Sequence, residues 1–352
     1  MLVKPVIKPC KMMLIGESPT TADDAKGAPF MGAPGQELMS ILEDAGIKRY
    51  ELSLSLVFKE RPPNNDLQNW GIPRKDLARE RAPGRPFNPI PVRKGVVAPS
   101  RVHGALEVLQ AEIRACSPNV IVACGNVALA ALTGAAGVGK LRGSLHFTNL
   151  PGLPSIKVLP TYAPAMVLRQ YEVRSHVVMD FMKAKRESES PTASLLNRKI
   201  YIEPTLDDLA AWVKYLTAQP FLASDIETRR RQITCIGFSP SPTEAFVIPF
   251  WLNGKNYWQS VEEEMLAYKA VKEICECEAV KIGQNFMYDS SYLFSYSIFT
   301  KNASEDTMLK HHALYPALPK SLAFLGSLYC NERAWKQWRS RSDETFELKR
   351  EE

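Results

Sequence analysis

Ala223-Ser224-Asp225-Ile226-Glu227-Thr228 decides how the second half of this chain folds. Leu222 and Ala223 close an apolar approach, and residues 233–238 resume one. That spacing predicts a strand, a tight turn and a second strand. Residues two apart on a strand point to the same side, so Asp225 and Glu227 converge. Two carboxylates held together call for a cation between them. Downstream comes Gly283-Gln284-Asn285-Phe286-Met287-Tyr288-Asp289. There Asp289 falls at the start of a helix, after a short apolar strand over 279–282, and offers a third carboxylate to the same site. The alternative is a surface pair at a strand end, which the apolar flanks disfavour.

Around this stretch, composition sets the limits. The chain has 352 residues, too many for one ordinary core, which predicts two domains. Hydrophobic content of 45% and charged content of 23% describe a globular protein. No apolar run is long enough to span a membrane, and Met1 to Pro9 lacks a signal-type apolar core. The seven cysteines are scattered and odd in number, which argues against a disulfide framework and for a reducing cytoplasm. Cys275 and Cys277 are expected to be buried or surface thiols. A net charge of +6 leans toward an anionic partner.

The first half alternates strands and helices. Strands are predicted over 11–15, 52–58, 119–124 and 156–159, and helices over 37–45, 102–116, 126–132 and from 165 onward. This pattern gives an α/β three-layer domain with a parallel sheet. Gly16-Glu17-x-Pro19, Gly27-x-Pro29-Phe30-x-Gly32-x-x-Gly35 and Lys59-x-Arg61-Pro62-Pro63-Asn64 are its most distinctive stretches. With Leu141-Arg142-Gly143 and Pro164-x-x-x-Leu168-Arg169, they resemble the uracil-DNA glycosylase superfamily, its iron–sulfur branch above all, over residues 11–185.

What departs from that pattern matters as much. Glu60 stands where the branch has a cluster cysteine, Ala105 or a near neighbour replaces the next, and Cys10 stands alone before the first strand. An iron–sulfur cluster needs its thiolates, so none is expected. The resemblance puts the base-reading asparagine at Leu56 and the catalytic histidine at Ala163. Glu17 and the base-stacking Phe30 match. A glycosylase must read the extruded base and stabilise its departure. Leu56 and Ala163 can do neither, so the site Glu17, Phe30, Leu56 and Ala163 is expected to be degenerate.

Residues 66–100 form a proline-rich insertion with few apolar anchors. With Arg61, its Arg79, Arg81 and Arg85 make either a phosphate-contacting flap or a solvated loop. Gly134 to Lys140 has phosphate-loop spacing, but Leu141 replaces the required Ser or Thr and no helix is expected after it, so a turn is predicted. Residues 186–198 read as a linker.

From Lys199 onward, Thr205 caps a predicted helix. Asp225-x-Glu227, Asn285-x-x-x-Asp289, Asp306-Thr307-Met308 and Pro319-Lys320-Ser321-Leu322 follow in order. Together they resemble the proofreading 3′–5′ exonuclease domain of phage polymerase-I-type DNA polymerases, over residues 199–340. The resemblance implies a ribonuclease-H-like mixed sheet. It makes Asp225, Glu227 and Asp289 both catalytic residues and ligands of Mg2+ or Mn2+, and Asn285 and Arg229 contacts to a single-stranded 3′ end. Arg229, Arg230 and Arg231 either touch that strand or face solvent. His311 and His312 are expected to pack or lie on the surface. The third family motif, a Tyr or His three residues before an Asp, is not found. Asp343 follows Arg339 at that spacing, and the domain (199–352) is expected to be cut short before it.

These readings imply a DNA replication and proofreading protein with a metal-dependent exonuclease module, a degenerate glycosylase-like DNA-binding module, and a separate DNA polymerase as partner. Its expected place is the cytoplasm of a bacterial host, without membrane contact. The alternatives are a non-catalytic DNA- or polymerase-binding subunit and a residual uracil-recognising or uracil-excising protein.

Overall fold

The computed structural model describes residues 2–80 and 88–332. The described residues divide into two compact units, one within residues 2–194 with 326–332 and the other residues 195–325.

In the first unit, β1 (Met12–Gly16) is followed by α1 (Thr21–Lys26), α2 (Ala33–Asp44) and β2 (Leu52–Leu56). The insertion contributes β3 (Gly71–Ile72), α3 (Leu77–Glu80), β4 (Pro91–Val92) and β5 (Gly95–Val97). Then come α4 (Pro99–Cys116), β6 (Val120–Cys124), α5 (Asn126–Thr133), α6 (Val138–Leu141), β7 (His146–Phe147), β8 (Lys157–Thr161), α7 (Pro164–Val167) and α8 (Arg174–Ser188). The sheet order is β2-β1-β6-β8-β7, parallel except for β7.

All five residues of β1, β2, β6 and β8 are buried, as strands covered on both faces must be. Met13 and Ile15 pack with Leu106, Leu109 and Ile113 of α4 and with α5. Met12 and Leu14 point the other way, to Leu38, Ile41 and Leu42 of α2 and Phe181 of α8. The strand period of two therefore builds the three layers. Between the layers, Asp180 of α8 accepts bonds from Arg142 Nε at 2.9 Å, from Arg142 Nη2 and from Thr161 Oγ1 at 2.8 Å. A side chain at Gly143 would run into Asp180, so the Leu-Arg-Gly stretch holds the fold together.

Several expectations are corrected here. The insertion is no bare loop, because β3, β5 and β4 form an antiparallel sheet and Ile90, Val96 and Val97 are buried. A one-turn helix, α6, does follow the glycine-rich turn, where Asn126 Oδ1 accepts from the N–H groups of Gly137 and Val138. Helix α8 runs to Ser188, so the linker begins later than residue 186. Residues 326–332 belong to the first unit, not the second. The cause is the buried Lys183, whose ammonium donates to the carbonyls of Gly143 (2.8 Å), Ser327 (2.8 Å) and Cys330 (2.5 Å).

The second unit contains β9 (Lys199–Tyr201), α9 (Leu206–Thr217), β10 (Phe221–Arg229), β11 (Gln232–Ser241), β12 (Glu244–Pro249), β13 (Trp251–Leu252), β14 (Lys255–Asn256) and α10 (Val261–Glu276). After these come β15 (Val280–Gly283), α11 (Phe286–Ser295), β16 (Glu305–Asp306), α12 (Thr307–Leu314) and α13 (Leu322–Tyr329), whose last turn lies in the first unit. Strand order is β16-β15-β10-β11-β12-β9, with β10, β11 and β12 antiparallel and β15, β16 and β9 parallel to their neighbours. This is a ribonuclease-H-like mixed sheet. Ile226, Ile236, Phe238, Phe246 and Ile248 pack beneath α9 and α10. Thr205 and Asp208 cap α9 reciprocally. At the end of the sheet, β9 carries exposed Ile200 and Tyr201.

Candidate functional sites

In the first unit, a pocket opens at the carboxyl ends of the parallel strands, the usual ligand position in such sheets. Its lining includes Glu17, Phe30, Leu56, Cys124, Ala163 and Pro164. All four residues of the degenerate site expected from sequence are thus brought together. Two glycines explain the spacing of the early stretch. A Cβ on Gly16 would stand 2.8 Å from Phe30 Cζ and 2.8 Å from Leu56 Cδ2. A Cβ on Gly35 would stand 1.9 Å from the Phe30 carbonyl oxygen. Phe30 itself adopts a left-handed backbone, φ 58°. Its loop is pinned by Asp23, which accepts from the Met31 N–H at 2.6 Å, and by Arg49, which donates to the Pro29 carbonyl at 3.1 Å.

Glu17 is turned inward. Its Oε1 accepts from the Val127 N–H at 3.1 Å, in the first turn of α5, and Gly125 leaves the room that this requires. Burial pushes the Glu17 carboxyl upward, against the Val127 bond and the Arg169 charge. The apolar side chains of Leu56 and Ala163 occupy the positions where the resemblance requires an amide and an imidazole. Glu60 pairs with Arg101 at 3.1 Å, and that guanidinium lies 4.5 Å over the Trp70 ring. A carboxylate and its cation therefore meet where the branch has a cluster thiolate. Cys10, with no second cysteine near it in sequence, has its sulfur 3.5 Å from that of Cys116 in space.

Among the basic residues, Arg61 pairs with Asp24 at 3.5 Å and Arg79 lies exposed, 3.8 Å from Asp76. Arg81 and Arg85 lie outside the described residues.

In the second unit, Asp225 and Glu227 are exposed on one side of β10, with Ile226 buried between them. Asp225 faces Gly237 on β11, which has no side chain to crowd it. A register shift follows Glu227, and the hairpin turns through Arg230 and Arg231, both left-handed (φ 49° and 62°). Helix α11 brings in Asp289, which is 5% exposed, and its Oδ1 accepts from the Ile226 N–H at 3.0 Å. The third carboxylate is thus fastened to the middle residue of Asp225-Ile226-Glu227. Burial, together with the charges of Asp225 and Asp306, raises the Asp289 carboxyl to about 6, although the Ile226 N–H opposes the rise. The Thr228 hydroxyl and the Tyr288 phenol share a 2.6 Å bond beside it.

Asp306, Thr307 and Gln284 tie the neighbouring elements together. Asp306 accepts from the N–H groups of Asn285 (3.2 Å), Phe286 (2.8 Å), Met308 (2.8 Å) and Leu309 (3.2 Å). It caps two helices, and these bonds lower its carboxyl despite the opposing effect of desolvation. Thr307 Oγ1 donates to Gly283 O, and Gln284 Nε2 donates to Lys320 O at 2.7 Å. Asn285, left-handed at φ 59°, is exposed, and Arg229 ends β10. His311 packs against Tyr315 and Phe324. Asp343 and Arg339 lie outside the described residues.

As a metal site this set is incomplete. Its all-oxygen donors have the right chemistry for Mg2+ or Mn2+. Among the described residues, however, no three His, Cys, Asp or Glu side chains are arranged to hold one ion. No described helix is long and apolar enough to cross a membrane.

Over 179 residues the chain is 30% identical to the Type-4 uracil-DNA glycosylase of Thermotoga maritima, covering 50% of this chain and 76% of that protein. It is 28% identical over 174 residues to the protein of the same name from Pyrobaculum aerophilum, covering 48% and 74%. Solved structures include a mutant catalytic core of RRP6 from Trypanosoma brucei (21% identity, 42% of this chain, 39% of that one, TM-score 0.32). Another is the Nibbler EXO domain of Aedes aegypti (16% identity, 40% and 75%, TM-score 0.29). The sequence profile of the Uracil DNA glycosylase superfamily matches residues 7–184. Through these residues, the chain belongs to the uracil DNA glycosylase superfamily.

Proposed function

We propose that this is a DNA-processing protein that combines a metal-dependent 3′–5′ exonuclease module, residues 195–325, with a glycosylase-superfamily module that binds DNA without excising uracil. The observation supporting the nuclease reading is the attachment of buried Asp289 to the Ile226 amide, between Asp225 and Glu227. Asp225, Glu227 and Asp289 would hold a divalent cation, Mg2+ or Mn2+. Such an ion, when bound, stabilises charge on a phosphate undergoing displacement. The chain's own residues prepare the site. The Ile226 N–H orients Asp289, Gly237 leaves space beside Asp225, and Asn285 and Arg229 border the site as contacts to a DNA strand. Because no three His, Cys, Asp or Glu side chains are already arranged to hold one ion among the described residues, the carboxylates would have to move together to bind it, and activity of this chain alone is expected to be weak. The biological setting that fits is phage-type replication in a bacterial cytoplasm, beside a separate DNA polymerase.

The test is digestion of a 3′-labelled single strand with Mg2+ or Mn2+, with Asp225→Ala as control. Cleavage unaffected by that substitution overturns the assignment. DNA binding without any cleavage favours the second reading, a non-catalytic DNA- or polymerase-binding subunit. Superfamily membership keeps a third reading in the test. Alkali-sensitive breaks in uracil-containing DNA would mean that the first unit is an active glycosylase.

A further inference from the structure

Cys10 and Cys116 are 106 positions apart in sequence, yet their sulfurs lie 3.5 Å apart. Their backbones also meet, because the Cys10 N–H donates to the Cys116 carbonyl at 3.3 Å. Cys10 precedes β1 and is partly exposed, and Cys116 ends α4 and is buried. Ser53 of β2 lies beside the pair, its Oγ 3.4 Å from the Cys10 sulfur. A disulfide requires sulfurs at about 2.0 Å and closely spaced backbones. The existing contact needs only a small side-chain movement to reach that geometry.

We propose that Cys10 and Cys116 are a redox-active pair that closes to a disulfide when a low-molecular-weight disulfide, such as oxidised glutathione, is available. The Cys10 thiolate attacks one sulfur of that disulfide and releases one thiolate. Cys116, after giving its proton to solvent, attacks the Cys10 sulfur and releases the second. Two protein thiols are oxidised and one small disulfide is reduced to two thiols. The division of roles follows from geometry, since Cys10 is the accessible partner. It is also consistent with the acidity of the pair. The Cys116 thiol, hydrogen-bonded to Cys10, holds Cys10 below the ordinary thiol range, and the same contact and burial push Cys116 up. The bond would tie the N-terminal segment, whose Val3 and Val6 pair with Lys59 and Leu54, to α4. Closure of so long a loop restricts the unfolded chain strongly.

The test treats the full chain with oxidised glutathione and maps its tryptic peptides without reduction. The expected result is a Cys10–Cys116 cross-linked peptide, two free thiols fewer than the seven of the reduced chain, and a thermal midpoint raised by roughly 5–10 °C. Cys10→Ser and Cys116→Ser should each abolish all three changes. Should either variant fail to fold, alkylation of the wild-type chain still decides. Cys10 should be blocked after oxidation and freed by reductant. A glutathione adduct persisting on Cys10, a cross-link elsewhere, or unchanged alkylation overturns the proposal. So does stoichiometric zinc or iron released by a thiol reagent, because the two sulfurs would then be metal ligands.

Discussion

The pocket of the first unit and the carboxylate cluster of the second have failed to match their resemblances in opposite ways. On the reading proposed above, the pocket keeps its architecture and has lost its chemistry. Gly16, Gly35 and Gly125 still clear space for Phe30 and Glu17, while Leu56 and Ala163 supply no polar group to a base. The cluster keeps its acidic residues without a complete architecture, because Asp289 is buried and held on Ile226 while, among the described residues, no three His, Cys, Asp or Glu side chains are arranged to hold one ion. Backbone clearance is enforced by the fold, since a Cβ at Gly35 would destroy the loop whatever the pocket does. Catalytic polarity is enforced only by function and can be lost without unfolding the protein. Buried Asp289 makes the reverse case, because a carboxylate taken out of water costs stability in the absence of a ligand.

The largest expected effect tests the second half of this contrast. Any Mg2+- or Mn2+-dependent cleavage should fall at least about 10²-fold in Asp225→Ala, the scale on which groups stabilising transition-state charge act. Rates of 3′-label release measure it, and an unchanged rate means that Asp225 takes no part in cleavage. Next, polarity can be returned to the pocket. Leu56→Asn with Ala163→His should give uracil excision that neither single change gives. Leu56→Asn alone should cost about 1–3 kcal/mol, because Leu56 is 3% exposed and a buried amide needs partners. Excision by the unmodified chain would show that the pocket had kept its chemistry after all.

A smaller effect concerns acidity. Asp289 is raised to about 6 in the folded chain, above its unfolded value of 3.8. Between those values the folded state binds more protons, so its contribution to stability is present at low pH and lost as pH rises through about 6. A divalent cation should therefore raise the thermal midpoint more at pH 7.5 than at pH 5. Asp289→Asn should remove both the cation effect and this segment of the pH profile. Thermal melts across pH, with and without Mn2+, provide the measurement. The smallest effect lies at the hairpin. Arg230 and Arg231 hold left-handed backbone where Asn-Gly is preferred, so Arg230→Asn with Arg231→Gly should stabilise by about 1 kcal/mol. If DNA affinity keeps its salt slope in that variant, the arginines face solvent. A slope lower by about two units makes them phosphate contacts.

Much of this was legible from local pattern. Strands β1 and β6 announced themselves as apolar runs, and Asp225-x-Glu227 around an apolar Ile226 set which face the carboxylates take. Long-range pairings left no such trace. Nothing in the sequence near Cys10 points to Cys116, and nothing near Lys183 points to the carbonyls of Ser327 and Cys330. Asp306 sat within a recognisable motif, yet its four N–H partners depend on where α11 and α12 begin. The insertion misled for a related reason. Its strands are two or three residues long, too short for a period-two pattern, and the burial of Ile90 and Val97 comes from packing on the core of the first unit.

Strand β9 also sets a limit on how the protein can be handled. It pairs with β12 on one side and ends the sheet, and Ile200, Tyr201 and Ile202 are 57%, 42% and 57% exposed. Edge strands with apolar faces are where chains join when concentrated. Lys199 before this run and Pro204 after it keep it short, by charge at one end and by the loss of an N–H donor at the other. Neither residue touches either site. Lys199→Val would be felt first as turbidity in the concentrator, with the unit still folded.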